Sequence, residues 1–126
     1  MGGSYMSDDT FRYDIESIAS EMEIDLATLS TLYSEYFIEV RANLKDCITL
    51  CSSKDWARLE RVVHNIKGVS TSLNITDIYT SSTTLDMDLK NKKYDLAEKM
   101  VQFINELFIA AEKDIKEFFA QKGINI

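Results

Sequence analysis

Apolar residues recur every three or four positions along most of the chain, which is the spacing of one face of an α-helix. A short first helix is predicted after Asp14, with Ile15, Ile18 and Met22 on its apolar side. Asp25 then suits the N-cap of a second helix. This second helix is the longest, and its apolar positions are Leu26, Leu29, Tyr33, Tyr36, Val40, Leu44, Cys47 and Cys51.

Three further amphipathic helices are predicted. Asp55 places a negative charge in the first turn of the third helix, where the helix dipole favours it. Asn74 can adopt the left-handed conformation that ends this helix, and Thr76 can cap the fourth. The last helix is expected to run from about Tyr94 until Gly123 stops it. The inward-facing positions of the three helices are Trp56, Leu59, Val63, Ile66, Ser70 and Leu73; Ile78, Ser82, Leu85 and Leu89; and Ala97, Val101, Ile104, Phe108, Ala111, Ile115 and Phe118.

Helices with one apolar stripe and short connections bury those stripes most economically against each other. The sequence therefore predicts an all-α fold, an antiparallel four-helix bundle with an extra short N-terminal helix. The absence of proline agrees with uninterrupted helices. Residues 1–6 have the character of an expression scar, which leaves one domain over residues 7–126. Lys90, Lys92 and Lys93 suit the carboxyl end of the fourth helix and are given no function.

Composition excludes several classes of function. The chain of 126 residues has a net charge of -7, so its surface should repel the phosphate backbone of nucleic acids. Its four glycines form neither a P-loop nor a dinucleotide-binding fingerprint. Cys47 and Cys51 are expected to be small buried hydrophobes, and a single histidine leaves too few ligands for a zinc site. Without a signal peptide or a membrane span, a cytoplasmic location is expected.

The one histidine, His64, lies on the third helix, opposite its apolar stripe. We therefore expect the imidazole to face solvent. Glu60, Lys67, Gly68 and Thr71 lie on the same exposed face, where residues three and four positions apart are neighbours.

Gly68 is unusual because a glycine inside a helix costs about 1 kcal/mol relative to alanine. A need for clearance beside the imidazole would explain it, since another protein or a tetrahedral group could then approach the ring. The ammonium group of Lys67 can neutralise a phosphoryl group, and a neutral imidazole is a nucleophile that can form a phosphoramidate. Taken alone, Lys67 is equally typical of an exposed helix on which a lysine pairs with an acid one turn away.

Residues 64–74, with the sequence HNIKGVSTSLN, resemble the signature of histidine-containing phosphotransfer (HPt) domains of multistep phosphorelays. The shared pattern is a histidine, any residue, a hydrophobe, then lysine and glycine. Asp55-Trp56 and Leu59 resemble the usual lead-in to this helix, and Leu85-Asp86 resembles a downstream hydrophobe and acid pair. The similarity covers about residues 26–119. Two positions depart from the pattern, namely Val69, where serine or alanine is more frequent, and Asn74, where glycine is frequent.

The resemblance implies a role for each matching residue. His64 would be the phosphoacceptor, Lys67 would steady the phosphoryl oxygens, and Gly68 would leave room for the partner. Ser70 would be a small packing residue. The expected docking residues around this site are Glu60, Arg61 and Thr71.

The resemblance also implies partners. Members of this family take a phosphoryl group from the aspartate of one receiver domain and pass it to another, and the receiver supplies an acidic pocket and magnesium. We therefore expect response regulator receivers and a hybrid sensor histidine kinase as partners of a monomeric carrier. No cofactor, metal or nucleotide site of its own is expected, and the chain would not be an enzyme.

Two other functions stay open at this point. The chain could be an interaction module that keeps the docking surface without cycling phosphate. Alternatively, Glu60 and His64 could act as the acid and base of an enzyme, although no third catalytic group is visible.

Overall fold

A computed structural model describes residues 11–126, and most of them lie in five α-helices. Helix α1 spans Ile15–Met22, α2 Leu26–Ser53, α3 Trp56–Ser72, α4 Thr76–Lys90 and α5 Ala97–Gln121. Within this described part of the chain there is no strand. The predicted all-α class is therefore confirmed, whereas the proposed scar at residues 1–6 lies outside the described residues.

Side-chain caps start three of the five helices. Asp25 accepts a hydrogen bond from the backbone N–H of Thr28 at 2.7 Å, which confirms it as an N-cap. Asp55 is also an N-cap and not, as predicted, a residue of the first turn. The prediction for Thr76 was wrong, because Thr76 is already helical and the N-cap position belongs to Ile75. Ile75 is fully buried, so apolar packing and not a polar cap sets where α4 begins.

The other helix ends follow backbone conformation and packing. Asn74 adopts the predicted left-handed conformation with a φ of 58°, and Gly123 does the same beyond α5 with a φ of 76°. Helix α5 begins at Ala97 and not at Tyr94. The ring of Tyr94 stacks on Trp56, with ring centroids 4.6 Å apart, and this contact holds Tyr94 in the preceding loop.

The four long helices form the bundle in the order α2, α3, α4, α5, so that α3 lies diagonally opposite α5. Helix α1 packs against α2, but its last residue, Met22, is 36% exposed and not inward-facing as predicted. Cys47 and Cys51 are buried free thiols, as predicted, and burial raises the pKa of Cys47 to about 12. In residues 11–126, none of the helices combines the length and hydropathy that a membrane span requires.

The packing of α3 decides which of its residues face solvent. Its inward positions Leu59, Val63, Ile66 and Ser70 are almost completely buried. The hydroxyl groups of Tyr36 and Ser70 share a hydrogen bond of 2.7 Å, which fastens α2 to α3. This packing fixes the rotation of α3 about its own axis, and the opposite face of the helix is exposed to solvent.

Candidate functional site

His64 stands on the open side of α3, and its side chain is 59% exposed. Its Nδ1 atom lies 3.4 Å from Oδ2 of Asp86 on α4, which is a long hydrogen bond. The ring is thus held by one nitrogen while most of its surface faces solvent. The solvent-facing histidine predicted from the apolar pattern is present.

Asp86 is the centre of the polar cluster beside His64. Its side chain is only 1% exposed, yet Oδ2 receives the Nζ atoms of Lys67 at 3.1 Å and Lys90 at 3.3 Å. Burial by itself would raise the pKa of Asp86, but hydrogen bonds from Glu60, Lys67, His64 and Lys90 outweigh it and lower the pKa to about 2. Asp86 is therefore a buried, ionised carboxylate at neutral pH.

The charge of Asp86 determines which nitrogen of His64 carries the proton. An ionised carboxylate can only accept hydrogen bonds, so the Nδ1 atom that faces it must be the donor. In the neutral imidazole the lone pair then belongs to Nε2. The nitrogen that can act as a nucleophile is consequently the one directed away from Asp86.

Glu60 faces this cluster as well as the solvent. One of its carboxylate oxygens lies within 4.8 Å of a ligand atom of His64 and of Asp86, and its Oε2 atom lies 3.9 Å from Nζ of Lys90. The pKa of Glu60 is raised, because its carboxyl group can share a proton with Asp86, and burial and the charge of Asp86 add to the rise. Glu60, expected to be a docking residue, is therefore also part of the charge network.

The remaining expected site residues lie on the open surface. Gly68, Arg61 and Thr71 are exposed. A Cβ atom added at Gly68 would meet nothing within 4 Å, so no contact inside the protein requires glycine there. Beside the histidine, Asn65 donates a hydrogen bond of 2.8 Å to Glu39 on α2. The surface around His64 thus continues from α3 onto α2.

A shallow groove of about 250 Å³ lies on this surface, where α1, α2 and α3 meet. Val69 forms part of its wall and is half-buried, which is how the bundle accommodates valine at a position where smaller residues were expected. The other lining residues are Met22, Leu32, Glu35, Tyr36, Glu39, Ser72 and Leu73.

Glu60, His64 and Asp86 could together offer three ligand atoms to a metal ion, since these atoms lie within 4.8 Å of one another. The same carboxylate oxygen of Asp86, however, is already close to two ammonium groups. These positive charges oppose the binding of a cation.

Sequence reasoning missed two members of the cluster. Asp86 was noted only as part of a resemblance, and Lys90 was assigned to the helix dipole. Their spacing of four residues indicates that the acid and the lysine are neighbours on one helix face, but it does not place them beside His64. The structure brings both residues to the site.

Comparison with known families agrees with this geometry. The family model described as Hpt domain matches residues 31–115, which is more than half of the chain. The same comparison found no curated protein and no solved structure that matches this chain. The matched region includes the exposed histidine, its lysine and its glycine on α3, together with Asp86 on α4. The chain therefore belongs to the Hpt domain family, the phosphocarrier modules of two-component signalling, which are not themselves kinases.

Proposed function

We propose that this protein is a phosphorelay intermediate that accepts a phosphoryl group on His64 from a receiver-domain aspartate and passes it to a second receiver. The observation that carries this proposal is the pairing of an exposed imidazole with a buried, ionised Asp86. That pairing leaves the Nε2 lone pair free toward the partner. Lys67, one turn away, supplies the positive charge that a phosphoryl group requires.

The transfer step balances without any cofactor on this chain. The Nε2 lone pair attacks the phosphorus atom of the aspartyl phosphate, and an N–P bond forms. The bond between phosphorus and the receiver's carboxylate oxygen breaks, and its electron pair stays on that carboxylate. The resulting phosphoimidazolium keeps its proton on Nδ1, where the negative charge of Asp86 stabilises it.

Onward transfer reverses these steps on a second receiver. Its aspartate oxygen attacks phosphorus, the N–P bond breaks, and the electron pair returns to Nε2. Neutral imidazole is then ready for another cycle. The receiver contributes the magnesium ion and the acidic pocket, and this chain contributes the nucleophile and its local charge.

The docking surface extends from Arg61 and His64 across Gly68 and Thr71 to the groove between α1, α2 and α3. Glu35 and Glu39 border that groove. Residues 14–40 hold seven acidic residues and neither lysine nor arginine. The charge of this segment therefore equals the net charge of the whole chain, -7. We therefore expect the receiver to place an apolar side chain in the groove with a lysine or arginine beside it.

The test is phosphoryl transfer from a labelled receiver, with magnesium, to wild-type protein and to the His64→Gln variant. Label that is lost in acid, kept in alkali and absent from the variant would establish a phosphohistidine. Equal labelling of both proteins would overturn the proposal. Receiver binding without any transfer would favour the interaction module instead.

A further inference from the structure

Lys90 makes a contact that a role at the helix terminus does not explain. Its Nζ atom lies 3.3 Å from Oδ2 of Asp86, the same oxygen that Nζ of Lys67 approaches to 3.1 Å. Oε2 of Glu60 lies 3.9 Å from the same Nζ atom of Lys90. One buried carboxylate oxygen therefore holds two ammonium groups.

The two lysines reach Asp86 from opposite sides of the histidine. Glu60, which contacts Lys90, precedes His64 by one helical turn, and Lys67 follows it by one turn. Lys67 is 24% exposed and Lys90 is 54% exposed. Because Lys90 approaches from the other side of the histidine, Lys67 can turn from Asp86 to a group on His64 without displacing Lys90.

The second lysine keeps the buried charge of Asp86 paired when Lys67 moves away. When Lys67 turns to a phosphoryl group, it withdraws a positive charge from a carboxylate that is 1% exposed. A buried charge without a partner is strongly unfavourable. If Lys67 were the only lysine on Asp86, the attraction of this buried carboxylate would compete with the incoming phosphoryl group for Lys67.

We propose that Lys90 is a positioning residue that compensates the charge of Asp86 and thereby releases Lys67 to the phosphoryl group on His64. This inference rests on the proposed phosphorelay function. In this step the ammonium group of Lys67 moves from Asp86 to the phosphoryl group, and no covalent bond forms or breaks. Lys90 itself does not touch the phosphoryl group.

The experiment measures single-turnover transfer from a phosphorylated receiver, with magnesium, over a range of receiver concentrations. The variants are Lys90→Met, which removes the charge but keeps an unbranched side chain, and Lys90→Arg, which keeps the charge. Lys93→Met, an exposed site beyond α4, is the control for net charge. Each variant is also made in an Asp86→Asn background, and circular dichroism checks that all of them fold.

We expect Lys90→Met to lower the saturating transfer rate about tenfold, the effect of losing one charge-assisted hydrogen bond. The half-saturating receiver concentration should not change, and Lys90→Arg should keep most of the rate. In the Asp86→Asn background, Lys90→Met should have no further effect, because no buried charge then holds Lys67.

A wild-type rate for Lys90→Met, or an equal loss in both backgrounds, would overturn the inference and leave the carrier function intact. A loss that Lys93→Met reproduces would also overturn it, since net charge alone would then explain the result. Absence of transfer from the wild-type protein would overturn the proposed function itself. The two failures are therefore distinguishable.

Discussion

The Nδ1 atom of His64 lies 3.4 Å from Oδ2 of Asp86, so an exposed ring on α3 is oriented by a buried charge on α4. The distance is long for a hydrogen bond, but such contacts often tighten when the reacting group arrives. In the proposed transfer, positive charge develops on the imidazole, and its attraction to Asp86 grows. The contact is therefore worth more in the transition state than in the free protein.

The Asp86→Asn variant tests this relationship. An amide can turn either its oxygen or its NH₂ group toward Nδ1, so it neither fixes the ring proton nor stabilises the phosphoimidazolium. We expect the saturating transfer rate to fall about 10- to 100-fold, the range for one hydrogen bond to a charged group. Asp88→Asn, the same change on the same helix, should transfer at the wild-type rate. Equal rates for the two variants would contradict the role of Asp86.

The same carboxylate should make stability depend on pH in acid. The pKa of Asp86 is lowered from 3.8 to about 2, so its stabilising effect is present above pH 3.8 and is lost as the pH falls through 2. We expect a loss of at most about 2 kcal/mol in the free energy of unfolding across that window, because protonation of Glu60, whose pKa is raised by the same contact, offsets part of it. Urea unfolding at a series of pH values should show this loss for wild type but not for Asp86→Asn. Parallel curves for the two proteins would contradict the prediction.

Gly68 should show opposite effects on stability and on transfer. Nothing lies within 4 Å of an added Cβ atom, so Gly68→Ala should stabilise the fold by about 1 kcal/mol through helix propensity. Gly68→Gln should also tolerate folding, but its side chain would occupy the space that a receiver needs. We expect the transfer rate to fall with side-chain size while the unfolding midpoint in urea rises above wild type. Unimpaired transfer by Gly68→Gln would show that clearance is not the reason for glycine.

The helices and the exposure of His64 could be predicted from the sequence because both depend on local spacing. The stripe of α3 places Leu59, Val63 and Ile66 inside, and the opposite face must then be open. The start of α5 could not be predicted in this way, because the stacking of Tyr94 on Trp56 joins residues far apart in the chain.

The charge network was missed for a similar reason. His64 and Asp86 are 22 residues apart and lie on different helices. Periodicity determines which face of each helix is inward, but it does not determine the offset between neighbouring helices. Only that offset brings Asp86 into contact with His64 and places the ammonium groups of Lys67 and Lys90 beside the same oxygen of Asp86.

The acidic end of the docking surface should govern affinity for the receiver. Glu35 borders the groove between α1, α2 and α3, and the segment around it carries no compensating base. We expect Glu35→Lys to weaken receiver binding by about 3- to 10-fold at low ionic strength, with a smaller effect at high salt because screening shortens the range of the charge. Titration calorimetry at two salt concentrations measures both effects.

Glu106→Lys is the matched control for this prediction. Glu106 is exposed on α5, a helix that contributes no residue to the groove, so its reversal changes net charge equally without altering the docking surface. If the two variants weaken binding equally, net charge and not the groove governs association. If Glu35→Lys alone weakens it, the receiver contacts the acidic end of the bundle, and its basic residues help to orient its aspartate toward His64.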